Sequence, residues 1–413
     1  MNIHLLKSSG INQQSSVRIT GSKSESNRLL LLQALYPEIS IDNLSNSDDS
    51  VLMQRALSSQ DEIIDIHHAG TAMRFLTAFF AIQEGREVIL TGSSRMKERP
   101  IKILVDALKE LGADISYTEN EGFPPLRIKG KKLINSSVTL KANVSSQYIS
   151  ALLLISSRLE NGIELTLDGK ITSVPYIKMT LSLLDQLGIE SHFDENIITV
   201  KPFSKRLNSK TLVVESDWSS ASYFYSIAGL SDLGTQITLS SYKEDSLQGD
   251  SVLTDVYRRF GVETTFNENS ISLKKTLDVN DQSSIQLDLS NAPDIAQTIS
   301  VTAFGLGMEC YLTGLHTLKI KETDRLVALK TELEKLGAEV TITDASLHVM
   351  PSTEIHTDVS IATYNDHRMA MAFAPLGLRT SLQIENAEVV SKSYPDFWED
   401  LKALGFKINS QVK

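Results

Sequence analysis

Residues 104–115 read LVDALKELGADI: an apolar helical run, a leucine, a glycine, then the start of a strand. The same phrase returns as LSLLDQLGIES (181–191), VLTDVYRRFGVET (252–264), VALKTELEKLGAEV (327–340) and FWEDLKALGFKI (397–408). The shared glycines, Gly112, Gly188, Gly261, Gly337 and Gly405, lie 76, 73, 76 and 68 residues apart. Each stands where a left-handed C′ residue ends a helix before a strand begins. A unit repeated at a fixed period packs on its neighbours rather than standing alone.

Working outward, a second series runs out of phase with the first. Its six segments are SKSESNRLLLLQAL from Ser22, AGTAMRFLTAFFA from Ala69, SSQYISALLLIS from Ser145, SDWSSASYFYSIA from Ser216, NAPDIAQTISVTAFGL from Asn291 and YNDHRMAMAFAPLGL from Tyr364. Each opens on polar residues or glycine and continues nearly all apolar. Helices apolar on every side are buried ones, so these are expected to be the central helices of two domains, three in each. The step from Ser22 to Ala69 is 47 residues, against 71 to 76 later, so the first repeat is shortened.

Composition sets the frame for this pattern. The chain has 413 residues, 41% of them hydrophobic and 22% charged, enough for two cores. No apolar run has the length of a membrane span, and the first twenty residues lack a signal-peptide core, so the expected location is cytoplasmic. Cys310 is the only cysteine, which fits a reducing compartment. The net charge of −11 disfavours nucleic acid as a partner.

Helix starts carry unpaired N–H groups and the positive end of a dipole, so several of them can build an anion site. The distinctive residues cluster there. In GSKSESNR, Ser22 and Glu25 fit a capping box, placing Lys23 and Ser24 in the first turn and Arg28 one turn on. SSRMKERPI gathers Arg95, Lys97 and Arg99 around Glu98 before Pro100, a residue suited to open the next helix. KIKETDRL supplies Lys319, Lys321, Glu322, Asp324 and Arg325, a carboxylate-and-cation mixture suited to proton transfer beside a bound anion. NAPDIAQT places Asp294, and YNDHRMAM places Asp366, His367 and Arg368, at further starts. Lys392 lies in SKSYPDFW. Neither a metal-ligand spacing nor a nucleotide-binding glycine loop occurs, so no metal and no cofactor are expected.

GSKSESNR, AGTAMR, RMKERP, SSQ, KETDR, NDHRMAM and the Lys392 loop, in this order, resemble the 5-enolpyruvylshikimate-3-phosphate synthase family across nearly the whole chain. The resemblance implies an α/β (α+β) enolpyruvyl transferase fold, with two similar domains of three βαβαββ-type repeats and buried parallel helices. It implies one domain of residues 21–216 and another of 1–20 with 217–413, the active site lying between them, in a protein that is typically monomeric. It implies transfer of the enolpyruvyl group of phosphoenolpyruvate to the 5-hydroxyl of shikimate 3-phosphate by addition and elimination. Shikimate 3-phosphate would be held by Lys23, Ser24, Arg28, Ser145, Ser146, Gln147, Ser173, Asp294 and Lys321, with Tyr176 nearby. Phosphoenolpyruvate would be held by Lys23, Gly70, Arg95, Gln147, Arg325, Arg368 and Lys392. Asp294 resembles the family's base and Glu322 its acid, with Lys23, His367 and Lys392 available to move protons.

Three departures accompany the resemblance. His68 stands where the family usually has asparagine, Phe75 stands where proline is common and is expected to shift its helix, and the shortened first repeat is expected to cost stability rather than catalysis. Two alternatives remain at this point: transfer to UDP-N-acetylglucosamine, whose enzymes usually carry a reactive loop cysteine, and a non-catalytic anion-binding relative. Cys310, in the strand-like GMECYLTGL without cationic neighbours, reads as a buried structural thiol. Asp294, Glu322, Lys23 and Arg325 speak for the enzyme.

Overall fold

The computed structural model describes residues 1–141, 145–169, 171, 173–279 and 284–411. The chain divides into two compact units, Gly21–Val214 and Met1–Thr20 with Glu215–Lys413. Each has its own core.

Among the described residues the unit Gly21–Val214 holds six α-helices: α1 (Lys23–Leu35), α2 (Asp48–Ser58), α3 (Gly70–Ala81), α4 (Lys102–Glu110), α5 (Ser146–Ser156) and α6 (Val174–Gln186). The other unit holds α7 (Trp218–Leu230), α8 (Leu253–Arg258), α9 (Ala296–Gly305), α10 (Arg325–Lys335), α11 (His367–Phe373) and α12 (Phe397–Leu404). Among them α3, α9 and α11 are buried at every position, α5 at all but Gln147 and α7 at all but Ser219. The helices apolar on every side are thus the central ones, and they pack against one another, α3 on α1 and α5, α9 on α7 and α11.

Around them stand six small sheets among the described residues, five of four strands and one of two. A full sheet pairs Ile63–Asp65 in parallel with Glu87–Thr91, then continues antiparallel through Leu126–Lys129 to Asp114–Tyr117. The two-stranded one pairs Ile39–Asp42 with Lys210–Val213 in parallel and lacks the antiparallel hairpin. That is the shortened first repeat. The N-terminal segment belongs with the C-terminal residues: Asn2–Leu6 pairs with Lys407–Gln411 and Leu382–Ile384, and Gln14–Val17 with Gln236–Ser240.

The five repeat glycines all have positive φ, from 75° at Gly188 to 108° at Gly405, as their helix-ending role requires. Two local expectations need correction. Ser22 is the N-cap of α1, but its side chain makes no cap hydrogen bond, so the capping box does not form. Pro100 does not open α4 either; Ile101 is its N-cap, and the Pro100 carbonyl instead accepts from Tyr148 and Arg74. Cys310 lies in a strand, fully buried, its thiol pushed up by desolvation.

Candidate active site

In Gly21–Val214 the polar residues converge on four helix starts. Lys23 is the first residue of α1 and Ser24 the second. Arg28, one turn later, is buried; its Nη1 donates to the Ser24 carbonyl at 2.7 Å, Nε to Thr180 Oγ1 at 2.8 Å and Nη2 to Ser150 Oγ at 2.9 Å. Nη2 also reaches the Tyr176 carbonyl at 3.4 Å, tying α1 to α6. Desolvation pushes the guanidinium down to about 10, so it remains a cation at neutral pH. Phe75 is fully buried in an unbroken α3, and its ring lies 5.4 Å from the Arg28 guanidinium carbon. The Phe75 side chain therefore packs against Arg28.

Gly70 opens α3, and Ser145 caps α5 by accepting from the Gln147 amide. The Gln147 side chain donates to Thr71 Oγ1 at 3.1 Å, joining the two starts. Ser146 is buried beside them, and Ser173 precedes α6 in the left-handed region at φ 55°. Arg95, which the resemblance assigns to phosphoenolpyruvate, lies in the turn before Pro100, is 48% exposed and pairs with Glu98 at 2.9 Å. Two other guanidinium groups lie at the start of α3: Arg74 Nη1 donates to the Gly70 carbonyl at 3.1 Å, and that of Arg99 lies against Gly70 itself. A Cβ on Gly70 would stand 2.3 Å from Arg99 Nη1, so only glycine admits this approach. The sequence contained this signal, since three cations surround Glu98, but the pattern could not say which faces inward. His68 lies just before Gly70, with Nε2 3.8 Å from Asp48 Oδ2.

In the other unit the chemistry gathers around one guanidinium. Arg325, the first residue of α10, is 2% exposed. Its Nε donates to Asp366 Oδ2 at 2.6 Å, Nη1 to Asp294 Oδ1 at 2.8 Å and Nη2 to Glu322 Oε2 at 2.8 Å. Lys321 Nζ lies 3.3 Å from Asp294 Oδ1. Arg368, on α11, donates through Nη1 to the Asp294 carbonyl at 3.1 Å, and its Nη2 lies 3.6 Å from Asp294 Oδ2. His367 Nδ1 is 3.8 Å from Asp366, and Lys392 Nζ donates to the Asn365 carbonyl at 2.5 Å. Asp294, Lys321, Glu322, Arg325, His367, Arg368 and Lys392 are thus brought into one neighbourhood. Asp366, noted in the sequence only as part of its motif, is the third carboxylate on Arg325.

The electrostatics follow from this packing. Burial works to push the Asp294 carboxyl up, but Lys321, Arg368 and Arg325 outweigh it and hold the group far below the usual carboxylate range. Burial opposes the Arg325 charge, yet Asp366, Glu322 and Asp294 hold the guanidinium protonated. Burial lowers Lys321, with Asp294 pulling the other way. The cluster suits acid–base work beside an anion. Among the described residues no group of three or more His, Cys, Asp or Glu could hold a metal ion, and no helix is long and apolar enough to cross a membrane.

A model of the family described as EPSP synthase (3-phosphoshikimate 1-carboxyvinyltransferase) matches residues 51–401. A 3-phosphoshikimate 1-carboxyvinyltransferase of Bacteroides fragilis is 46% identical over 402 residues, covering 96% of both chains. One from Histophilus somni is 35% identical over 420 residues, covering 94% of this chain and 96% of that one. Among solved structures, an EPSP synthase from Acinetobacter baumannii superposes with a TM-score of 0.81 at 21% identity, over 99% of this chain and 100% of that one. The enolpyruvyl transferase NikO from Streptomyces tendae follows with a TM-score of 0.75 at 14% identity, over 99% and 98%.

Proposed function

The chain belongs to the EPSP synthase family, and on that premise we infer its reaction: it transfers the enolpyruvyl group of phosphoenolpyruvate to the 5-hydroxyl of shikimate 3-phosphate, releasing phosphate, as a transferase of the shikimate pathway. The observation that carries the assignment of roles is Arg325 held between Asp294 and Glu322, a base and an acid on one cation at a helix start.

Asp294 takes the proton of the 5-hydroxyl as it attacks C2 of phosphoenolpyruvate, and Glu322 delivers a proton to C3. Phosphate then leaves the tetrahedral intermediate as C3 returns its proton to Glu322, and the proton held by Asp294 passes to the departing phosphate. Held this far below neutrality, Asp294 would be a weak base. Substrate anions change that: once a phosphate or carboxylate takes up Lys321, Arg325 and Arg368, those cations are shared and the proton affinity of Asp294 rises. His367 beside Asp366, Lys392 on the Asn365 carbonyl, and Lys23 in the other unit are assigned to proton movement.

For the anions, Lys23, Ser24, Arg28, Ser145, Ser146, Gln147, Ser173, Asp294 and Lys321 are assigned to shikimate 3-phosphate. Lys23, Gly70, Gln147, Arg325, Arg368 and Lys392 are assigned to phosphoenolpyruvate. Arg99 replaces Arg95 in that set, because its guanidinium lies at Gly70 and the α3 start. Both units are assigned to one reaction, and a cytoplasmic monomer fits these roles. The test follows phosphorus-31 resonances of phosphoenolpyruvate with shikimate 3-phosphate, and separately with UDP-N-acetylglucosamine. Inorganic phosphate and a new phosphomonoester only with the shikimate support the assignment; turnover with the nucleotide sugar, or with neither acceptor, overturns it.

A further inference from the structure

Asp250 lies in the short turn Gly249–Val252 and is 2% exposed. Its Oδ2 accepts from the Ser219 hydroxyl, while its Oδ1 is buried and makes no hydrogen bond. A buried carboxyl with one bare oxygen costs stability, so the fold alone does not explain it. Nor does the α7 start require it. Asp217 is the N-cap of α7 and accepts from the Ser220 amide at 2.8 Å, while the Trp218 amide goes to Gln248 Oε1 at 3.0 Å. Gln248 also donates to the Ser216 carbonyl at 2.9 Å, which pins the turn carrying Asp250 against α7.

What Asp250 reaches through Ser219 is Arg368. Ser219, the one position of α7 that is not buried, accepts from Arg368 Nη2 at 3.2 Å. A hydroxyl has a single proton, and this one is committed to Asp250, so a lone pair faces the guanidinium. Arg368 is thus braced from two sides, by the Asp294 carbonyl and by Ser219. We propose that Asp250 is a positioning residue for Arg368, acting through the Ser219 hydroxyl to hold the guanidinium ready for an anionic group of phosphoenolpyruvate. The proposal rests on the assignment of Arg368 to that substrate.

The charged groups facing Asp250 are Arg368 from α11, Asp294 from the turn before α9 and Asp217 before α7. Burial pushes the carboxyl up to about 6; Arg368 lowers it, Asp294 and Asp217 raise it. Above that pH the carboxylate holds the Ser219 proton and the brace is made. Below it, the protonated carboxyl competes with Arg368 for the Ser219 oxygen. The KM for phosphoenolpyruvate therefore rises as pH falls through this range.

The experiment measures kcat and KM for phosphoenolpyruvate from pH 5 to 8 in wild type, Asp250→Asn, Ser219→Ala, the double variant, Ser219→Thr and Arg368→Ala. Expected at neutral pH is a KM about tenfold higher in each of the first two variants, with kcat within about threefold, and no further rise in the double variant. The phosphate of the substrate titrates near the same pH in every variant, so the readout is the difference from wild type: Asp250→Asn loses the extra rise. Ser219→Thr, keeping the hydroxyl, restores KM. A wild-type KM in Asp250→Asn and Ser219→Ala beside a raised one in Arg368→Ala overturns the brace alone, as do additive effects in the double variant. A wild-type KM in Arg368→Ala overturns the substrate role of Arg368 and the brace with it. Should Asp250→Asn fail to fold, Ser219→Ala and Ser219→Thr decide the question.

Discussion

A single guanidinium organises the proposed chemistry, because Arg325 answers Asp294, Glu322 and Asp366 at once. Truncating one partner of a buried ion cluster strands the rest. Arg325→Ala should lower the unfolding free energy by about 3–5 kcal/mol near neutrality, a deficit read by denaturant titration that shrinks as pH falls through the carboxylate range. Asp250 shows the opposite linkage. Its folded pKa of about 6 lies above the ordinary carboxylate value, so its contribution to stability is present in acid and lost as pH rises through about 6. Asp250→Asn should therefore be more stable than wild type at pH 8 by about 1–3 kcal/mol, with the gain gone near pH 4; equal stability at both pH values would contradict that sign. At Gly70 the obstacle to a Cβ is the flexible end of Arg99, so Gly70→Ala should raise the KM for phosphoenolpyruvate at least tenfold while the melting temperature stays within a few degrees. Residue types were readable from the motifs, whereas their partners were not. Nothing in RMKERP distinguishes Arg95 from Arg99, because inward and outward arginines four positions apart differ only in what the fold brings to them.

Helix starts and stops carry the architecture at the level of elements, and the stops were the more legible. Glycine followed by a strand means a left-handed residue on local grounds alone, and all five repeat glycines have it. The cost of violating it depends on surroundings that the sequence does not show. Gly188 has φ 75° with nothing within 4 Å of where a Cβ would stand, so Gly188→Ala should cost about 1–2 kcal/mol from backbone conformation alone. At Gly261, φ 76°, the Cβ would also stand 2.0 Å from the Leu277 carbonyl oxygen. Gly261→Ala should thus destabilise clearly more than Gly188→Ala, and comparable unfolding midpoints would count against steric control there. Starts were harder to read. Ser22 and Glu25 have capping-box spacing, yet the Ser22 side chain makes no cap bond, and local spacing cannot foresee how the rest of the fold uses such groups.

Over the whole chain, the repeat spacing announced two sets of three buried helices and a truncated first repeat, and the two-stranded sheet is where that truncation falls. The return of the first twenty residues to the C-terminal unit could not be read from periodicity, because strand pairing joins distant segments such as Gln14–Val17 and Gln236–Ser240. The ends of each unit lie close. Ser216 Oγ donates to the Ile19 carbonyl at 2.6 Å, and a Cβ on Gly21 would stand 2.6 Å from Val214 Cγ1. Residues 21–214 expressed alone, and 1–20 joined by a short glycine linker to 215–413, should each melt cooperatively by circular dichroism, since each has its own core. Neither should release phosphate from the substrates by itself, as the residues assigned to the reaction are divided between them. The proposed chemistry depends most directly on Asp294 and Glu322, and the measurement that tests it is kcat for phosphate release from phosphoenolpyruvate and shikimate 3-phosphate by wild type, Asp294→Asn and Glu322→Gln. A fall of about 10²–10⁴-fold in both variants, with KM changed only a few-fold, is the predicted result; a near-wild-type kcat in either would contradict the role assigned to that carboxyl.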